Sequence, residues 1–170
     1  MNENGKSMSV MDRADKETKD RVLNAVPQQH PFRFIDEILE LDAESVVGAY
    51  RFREDEYFYR GHFPGRPITP GVILMETMAQ TGVVAFGIYL TMLQGGGRER
   101  DIEGVITLFT FADGVEFSGI VRPGERVIIR GRKVFFRRGS LRTDVTMERE
   151  NGEVVCSGVL TGTGVRSSGV

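Results

Sequence analysis

The 170-residue chain has no tryptophan, one cysteine and two histidines, and each scarcity removes a class of function. A single cysteine, Cys156, forbids an internal disulfide, and His30 and His62 beside it leave too few ligands for a Cys/His zinc site. Cys156 lies in the strand-like stretch GEVVCSGVL and reads as a small buried hydrophobe. Neither sign of charge dominates: 22 Lys and Arg against 24 Asp and Glu give a net charge of −2, which argues against a general nucleic-acid or anionic-membrane binder. The opening MNENGKSMSVMDRADKETKD lacks the apolar core of a signal peptide, so a reducing, cytoplasmic setting is expected. Met8 and Met11 leave the start of translation open.

What is present is the content of one globular domain, 40% hydrophobic and 27% charged. Residues 1–13 read as a disordered tail, 14–163 as the domain and 164–170 as a flexible C-terminal tail. A short amphipathic helix over DKETKDRVLNAV ends before Pro27. FRFIDEILELD and SVVGAYRFRED alternate as two strands joined by a tight turn. A long helix runs from about Pro70, a favoured first-turn residue, to about Leu93. Its run Val72 to Leu93 is apolar enough to raise a membrane span. Glu76, Gln80, three threonines and two glycines make lipid a poor home for it, and a buried core helix is expected. From Gly104 onward the pattern is β: GVITLFTFAD, GVEFSGI, ERVIIRGRKVFFR, SLRTDVTMERE and EVVCSGVLTGTG, with turns at RRGS and ENGE. One helix apolar nearly all round and six or seven strands predict an α+β fold. In it a strongly curved antiparallel sheet wraps around one long central helix.

The stretch GHFPGRPITPGVILMETMAQ, residues 61–80, holds one acid, Glu76, inside an apolar run, shortly after His62. Histidine suits proton transfer near neutral pH. A carboxyl in apolar surroundings has its charged form disfavoured and can hold a proton. A helix starting at Pro70-Gly71 offers unpaired N–H groups and the positive end of its dipole. Such donors suit a carbonyl oxygen on which negative charge develops, and Gly71 lets a substrate approach the backbone. Taken singly, each piece has a plainer reading: a hydrogen-bonded loop histidine, a Glu paired with an arginine of another subunit, a rigid Pro-Gly turn. Their joint occurrence points to chemistry. Glu76 lies roughly 7.5 Å along the helix from Gly71, and the loop from His62 to Pro70 spans up to about 26 Å. The two groups can therefore meet within one chain or between two.

These residues closely resemble the signature of the 3-hydroxyacyl-acyl-carrier-protein dehydratases of FabZ type, a hotdog family. VPQQHPFRFIDEILELD, EFSGIVRPGERV and RRGSLRTDVTMERENGEVVCSGVL are also similar to segments of that family, so the resemblance runs from about residue 20 to about 162. It implies that His62 is the base at C2 of the acyl chain and that Glu76 assists departure of the C3 hydroxyl. It also implies that the Gly71 N–H polarises the thioester, with Phe63, Pro70 and Val72 beside the substrate. The implied partner is an acyl carrier protein whose phosphopantetheine carries the substrate, with no further cofactor and no metal. A homodimer with shared active sites follows, open to a trimer of dimers.

Ile73, Phe86, Phe111 and Phe117 are candidates for an acyl tunnel, with ordinary core preferred for most. RGRKVFFRRGSLR contains no acid, so Arg132, Lys133, Arg137 and Arg138 can steer an acidic carrier protein or simply form a solvated hairpin face. The family's opening segment commonly reads Leu-Pro-His-Arg-x-Pro-Phe. Here Gln28 replaces that histidine, which leaves a specialised lipid or polyene pathway open beside the fatty-acid one, and His30 reads as structural. Two rivals remain: a hotdog acyl-thioesterase and a non-catalytic acyl-carrier-binding partner. The histidine of GHFPG speaks against the first, and the presence of both His62 and Glu76 against the second.

Overall fold

The computed structural model describes residues 13–96 and 102–166. Helix α1 (Lys16–Ala25) begins where the Asp15 side chain accepts a 2.8 Å hydrogen bond from the Thr18 N–H, satisfying one orphan donor of the first turn. It ends before Pro27, which cannot continue it. Val22 and Val26 are buried and join Leu41 and Val46 in one apolar cluster. Residues 1–12 of the expected tail lie outside the described residues. Arg13 pairs with Glu40 at 3.6 Å, and the Ala14 N–H donates to Leu41.

Six strands follow: β1 (Glu37–Leu41), β2 (Ser45–Arg51), β3 (Val105–Phe117), β4 (Arg126–Arg137), β5 (Ser140–Arg149) and β6 (Val154–Arg166). They form one sheet in the order β1-β2-β4-β5-β6-β3, with every pairing antiparallel. The β4–β5 hairpin closes on Arg138 and Gly139, both at positive φ (51° and 74°), as a two-residue turn that follows strand twist requires. Two sequence expectations change here. GVITLFTFAD and GVEFSGI are one strand, because Asp113-Gly114 is absorbed as a register shift in the β3–β6 pairing rather than turning the chain. The strand expected from Phe32 begins only at Glu37, because the Phe34 N–H bonds to a side chain, Gln80, instead of a neighbouring strand. At the C-terminal end, β6 carries Gly164 to Arg166 beyond the expected domain limit of 163, and 167–170 lie outside the described residues.

The long helix, α2, spans Gly71–Gln94, and 72% of an 18-residue stretch of it is buried inside the fold. It is long and apolar enough to cross a membrane, yet the sheet supplies its apolar surroundings. Pro70 is not the first helical residue but the one preceding it, with extended ψ of 139°. The middle of the helix, Gln80–Ala85, is wound more widely, with π-type hydrogen bonding. Here helix and sheet touch backbone to side chain: a β-carbon on Gly82 would lie 2.7 Å from Val145. The Thr143 hydroxyl donates to the Gly82 carbonyl at 2.8 Å, giving a helix carbonyl a partner on the sheet. Ile73 and Phe86, two of the tunnel candidates, are buried core. Phe111 and Phe117 stand about half exposed on β3.

Candidate active site

His62 sits in a loop whose path is fixed by its own backbone. A 3₁₀ turn, Tyr57–Arg60, delivers the chain to it, and the His62 N–H donates to the Phe58 carbonyl at 3.0 Å. The Ile68 N–H donates back to the His62 carbonyl at 3.0 Å, and the tight turn between them runs through Gly65 at φ 73°. The Tyr59 and Thr69 hydroxyls share a buried hydrogen bond of 2.6 Å, and the Thr69 N–H donates to Val121 of the sheet side. The two ends of the loop are thereby tied to each other, and the later one is anchored to the rest of the fold. Burial lifts the Tyr59 phenol to about 12, so it stays a neutral hydrogen-bonding group.

The imidazole Nδ1 lies 2.8 Å from the Ile68 carbonyl oxygen. A carbonyl can only accept, so Nδ1 carries the proton and Nε2 is left as the free basic nitrogen. Phe63 stacks on the ring with centroids 4.1 Å apart and is itself half exposed. One face of the base is thus apolar and fixed.

Seven residues after Thr69, past the helix start, the chain reaches Glu76. At the helix start the Gly71 and Val72 N–H groups have no acceptor among the described residues, and no side chain caps them. Pro70 has no N–H and is buried; its carbonyl accepts from Ile73 and Leu74. Its contribution is to start the helix, while Gly71 and the exposed Val72 present the donors. A β-carbon at Gly71 would come within 3.1 Å of the Phe117 ring, so a larger residue there asks that half-exposed ring to shift.

Glu76 stands one turn further on, partly buried. Burial raises its carboxyl above the ordinary glutamate value, and a hydrogen bond from Gln80 opposes that rise. Gln80 is wholly buried and uses its whole amide. Nε2 donates to Glu76 Oε1 at 2.9 Å and to the Phe32 carbonyl at 2.9 Å, while Oε1 accepts from the Phe34 N–H at 2.6 Å. With Oε1 of Glu76 engaged, Oε2 is the oxygen available to carry a proton. Gln80 had no assigned role from sequence; its spacing of four from Glu76 within a helix was the signal available. Within one chain, His62 and Glu76 share no hydrogen bond: the ring is held by Ile68 and the carboxyl by Gln80.

The acid-free stretch 130–142 finds its acids elsewhere in the fold, on β3, on β5 and in the turn before β2. Arg130 pairs with Glu148 at 2.8 Å, Arg132 with Asp144 at 3.6 Å, Lys133 with Glu44 at 2.7 Å and Arg142 with Asp113 at 3.3 Å. Arg137 lies over the Phe135 ring at 5.2 Å, and Arg138 occupies the turn; neither has an ion pair among the described residues. A separate polar cluster joins Arg53 to Asp36 at 2.9 Å and Tyr50 to the buried Glu56. Burial and that carboxylate push the Tyr50 phenol far up, which marks it as structural. Cys156 is buried in the core with its thiol raised to about 11, hence an inert thiol rather than a nucleophile. Among the described residues no group of three His, Cys, Asp or Glu is placed to hold a metal ion.

A histidine loop leads into a helix start with open N–H groups, and the curved sheet wrapped around that helix is a hotdog fold. The chain belongs to the FabA-like domain family, whose model matches residues 26–159. It is 38% identical over 120 residues to the 3-hydroxyacyl-[acyl-carrier-protein] dehydratase FabZ of Syntrophobacter fumaroxidans, covering 70% of this chain and 74% of that protein. The FabZ of Caldicellulosiruptor bescii is 31% identical over 142 residues, 83% of this chain and 94% of that one. Among solved structures, the dehydratase heterocomplex ApeI:P from Xenorhabdus doucetiae shares the fold. Its TM-score is 0.70 at 12% identity, over 86% of this chain and 92% of that chain. A hypothetical thioesterase with coenzyme A from Streptococcus pneumoniae TIGR4 matches at a TM-score of 0.51 and 15% identity, covering 76% and 85%. At such identities the structural likeness speaks for the fold and leaves the reaction to the site.

Proposed function

We propose that this chain removes water from 3-hydroxyacyl chains carried as thioesters on acyl carrier protein, giving the trans-2-enoyl thioester in fatty-acid or related lipid synthesis. The observation that carries the reading is the His62 tautomer. A carbonyl holds Nδ1–H, so Nε2 is a free base on the loop that leads into an open helix N-terminus. Nε2 takes the C2 proton, and the electron pair left behind is delocalised onto the thioester oxygen. The Gly71 N–H faces that developing charge. The C3–O bond then breaks, and the hydroxyl leaves as water with the proton from Glu76 Oε2. His62 returns its proton to Glu76 through solvent before the next turnover. Loss of water is neither oxidation nor reduction, so the chemistry asks for no redox cofactor.

The separate tethering of His62 and Glu76 within one chain supports a site shared between two chains, with the base from one and the acid from the other. The sheet supplies a route to that dimer. β1, one edge, is only five residues long, whereas β3, the other, runs 13 residues and exposes Leu108, Phe109, Phe111 and Phe117. A long apolar edge is a template for pairing with a second copy. The carrier protein, acidic and cytoplasmic, would meet the unpaired Arg137 and Arg138. A crotonyl thioester decides between this reading and its rivals when enoyl absorbance and free thiol are followed together. Reversible hydration supports the dehydratase, thiol release identifies a thioesterase, and inertness identifies a binding partner.

A further inference from the structure

Among the described residues Glu56 is the only carboxylate that is buried, at 7% exposure. It hydrogen-bonds to neither His62 nor the helix start, so the chemistry above makes no use of it. A carboxylate out of water is costly unless polar groups surround it, and exchanging a buried ionic group for hydrocarbon is often neutral or stabilising. Stability is thus a weak reason for an acid at 56, and a better one lies in what its oxygen holds.

Glu56 Oε1 accepts from the Tyr50 hydroxyl, itself 2% exposed, and from the Arg53 N–H at 3.2 Å. The Arg53 guanidinium donates to the same Tyr50 hydroxyl at 3.0 Å and to Asp36 at 2.9 Å. The Glu56 backbone is engaged as well. Its N–H donates to the Arg53 carbonyl at 3.4 Å, and its carbonyl accepts from the Tyr59 N–H at 3.1 Å. One acid therefore joins the end of β2, through Tyr50, to the 3₁₀ turn that begins at the next residue.

That turn carries the base. The Phe58 carbonyl accepts from the N–H groups of Gly61 at 3.2 Å and His62 at 3.0 Å, and the Phe58 ring lies edge-on to Phe34 with centroids 6.2 Å apart. Phe34 belongs to the segment that Gln80 grips at Phe32 and Phe34. Asp36, at its end, takes the Arg53 guanidinium on one oxygen and the Arg51 N–H on the other, both at 2.9 Å. The turn before His62 is thus tied to the same segment as the carboxyl of Glu76.

We propose that Glu56 is a positioning residue for the base: its Oε1 fixes the turn that sets the His62 ring with Nδ1 on the Ile68 carbonyl and Nε2 free. The consequence for turnover rests on the proposed dehydratase reading, whereas the tautomer belongs to the resting protein. Without the Oε1 anchor the turn gains freedom and the 2.8 Å contact of Nδ1 with Ile68 loosens. The proton then distributes over both ring nitrogens, because the hydrogen bond made by one nitrogen decides which of them carries it.

The test compares Glu56→Leu, which removes the acceptor, with Glu56→Gln, which keeps an oxygen for Tyr50 and Arg53. Heteronuclear NMR of the histidine-labelled full chain reads the tautomer at alkaline pH, where imidazole is neutral. Only two histidines are present, so comparison with His62→Ala assigns the signals. Wild type should show a protonated Nδ1 and a bare Nε2, a pattern kept in Glu56→Gln and lost in Glu56→Leu. For a 3-hydroxyacyl carrier-protein substrate, kcat/KM should fall roughly ten- to a hundredfold in Glu56→Leu and less than about threefold in Glu56→Gln.

A merely structural acid would lower the folded fraction and leave the tautomer of the folded protein unchanged; that outcome overturns the proposal. So does a Glu56→Gln that loses the pattern together with Glu56→Leu. Where Glu56→Leu does not fold, Tyr50→Phe deletes only the donated hydroxyl and should move the His62 signals part of the way, and unmoved signals there overturn the proposal equally. A wild type that shows the tautomer and its dependence on Glu56, yet dehydrates no thioester, strikes the dehydratase reading and leaves the positioning role standing.

Discussion

Gln80 and Glu76, four residues apart on α2, are joined by a 2.9 Å hydrogen bond, and the same glutamine amide closes on the backbone of Phe32 and Phe34. One side chain therefore couples the orientation of the acid to the position of the segment before β1. Gln80→Leu preserves bulk and removes both functions. The Phe34 N–H and Phe32 carbonyl are left unpaired, at about 1–3 kcal/mol each where buried. Activity should fall roughly ten- to a hundredfold through misplacement of the acid. A purely structural role would stop there. A positioning role also moves the limb of the kcat/KM profile that Glu76 sets: the lost donor had favoured the carboxylate, so the Glu76 carboxyl rises and that limb shifts to higher pH. An unmoved limb in a folded variant would confine Gln80 to structure.

Glu76→Gln tests the acid itself through activity and stability together. Turnover should drop by at least about a hundredfold. Stability should move the other way. The folded-state carboxyl is raised above its unfolded value, so the native state binds the extra proton. Its contribution is complete below the unfolded value near pH 4.3 and is lost as pH rises through the raised folded value. The glutamine cannot ionise and keeps an oxygen for the Gln80 donor. Thermal unfolding should therefore show Glu76→Gln more stable than wild type at pH 8, with the gap closing near pH 4. A variant less stable at pH 8 would mean that the buried charge is better compensated than its single hydrogen bond implies.

The sequence made His62, Gly71 and Glu76 visible because their spacing is local: loop, helix start and first helical turns follow one another along the chain. The central helix and the β4–β5 turn were legible for the same reason. The missed features depend on contacts between distant segments. The first strand lost Phe32 to Asp36 because Gln80, 46 residues after Phe34, takes a backbone N–H that alternation alone assigns to a ladder. Asp113-Gly114 carries a turn signal, yet pairing with β6 on both sides keeps the chain extended through it. The basic stretch 130–142 looked uncompensated because Glu44 arrives from the β1–β2 turn, Asp113 from β3, and Asp144 and Glu148 from just beyond the stretch.

That pairing narrows the docking test to two cations. Reversing Arg137 and Arg138 together, as Arg137→Glu with Arg138→Glu, should raise KM for a carrier-bound substrate and flatten its salt dependence. A small thioester analogue, which makes no surface contact, should keep its KM. Reversing Arg132 and Lys133, already engaged by Asp144 and Glu44, should act less on the carrier and more on stability. Equal effects of the Arg137/Arg138 pair on both substrates would sink carrier steering by this hairpin.

The shared-site arrangement makes a sharper demand than any single substitution. His62→Ala alone should reduce turnover at least about a hundredfold, as should Glu76→Gln alone. In a dimer that builds each site from one chain's base and the other's acid, a mixed dimer of these two variants has one site with both groups intact and one with neither. Equal amounts, unfolded and refolded together, give about half mixed dimers by random pairing, each with one of two sites working, so about a quarter of wild-type activity returns. A site built within one chain gives nothing back in the same mixture, because every chain then lacks one of its own groups. Substitution along the β3 edge supplies the control. Leu108→Lys places a charge on the exposed strand and should shift sedimentation toward monomer, removing the restored activity with it. Recovery that survives as monomer, or no recovery from a mixture shown to contain mixed dimers, would return His62 and Glu76 to a single chain.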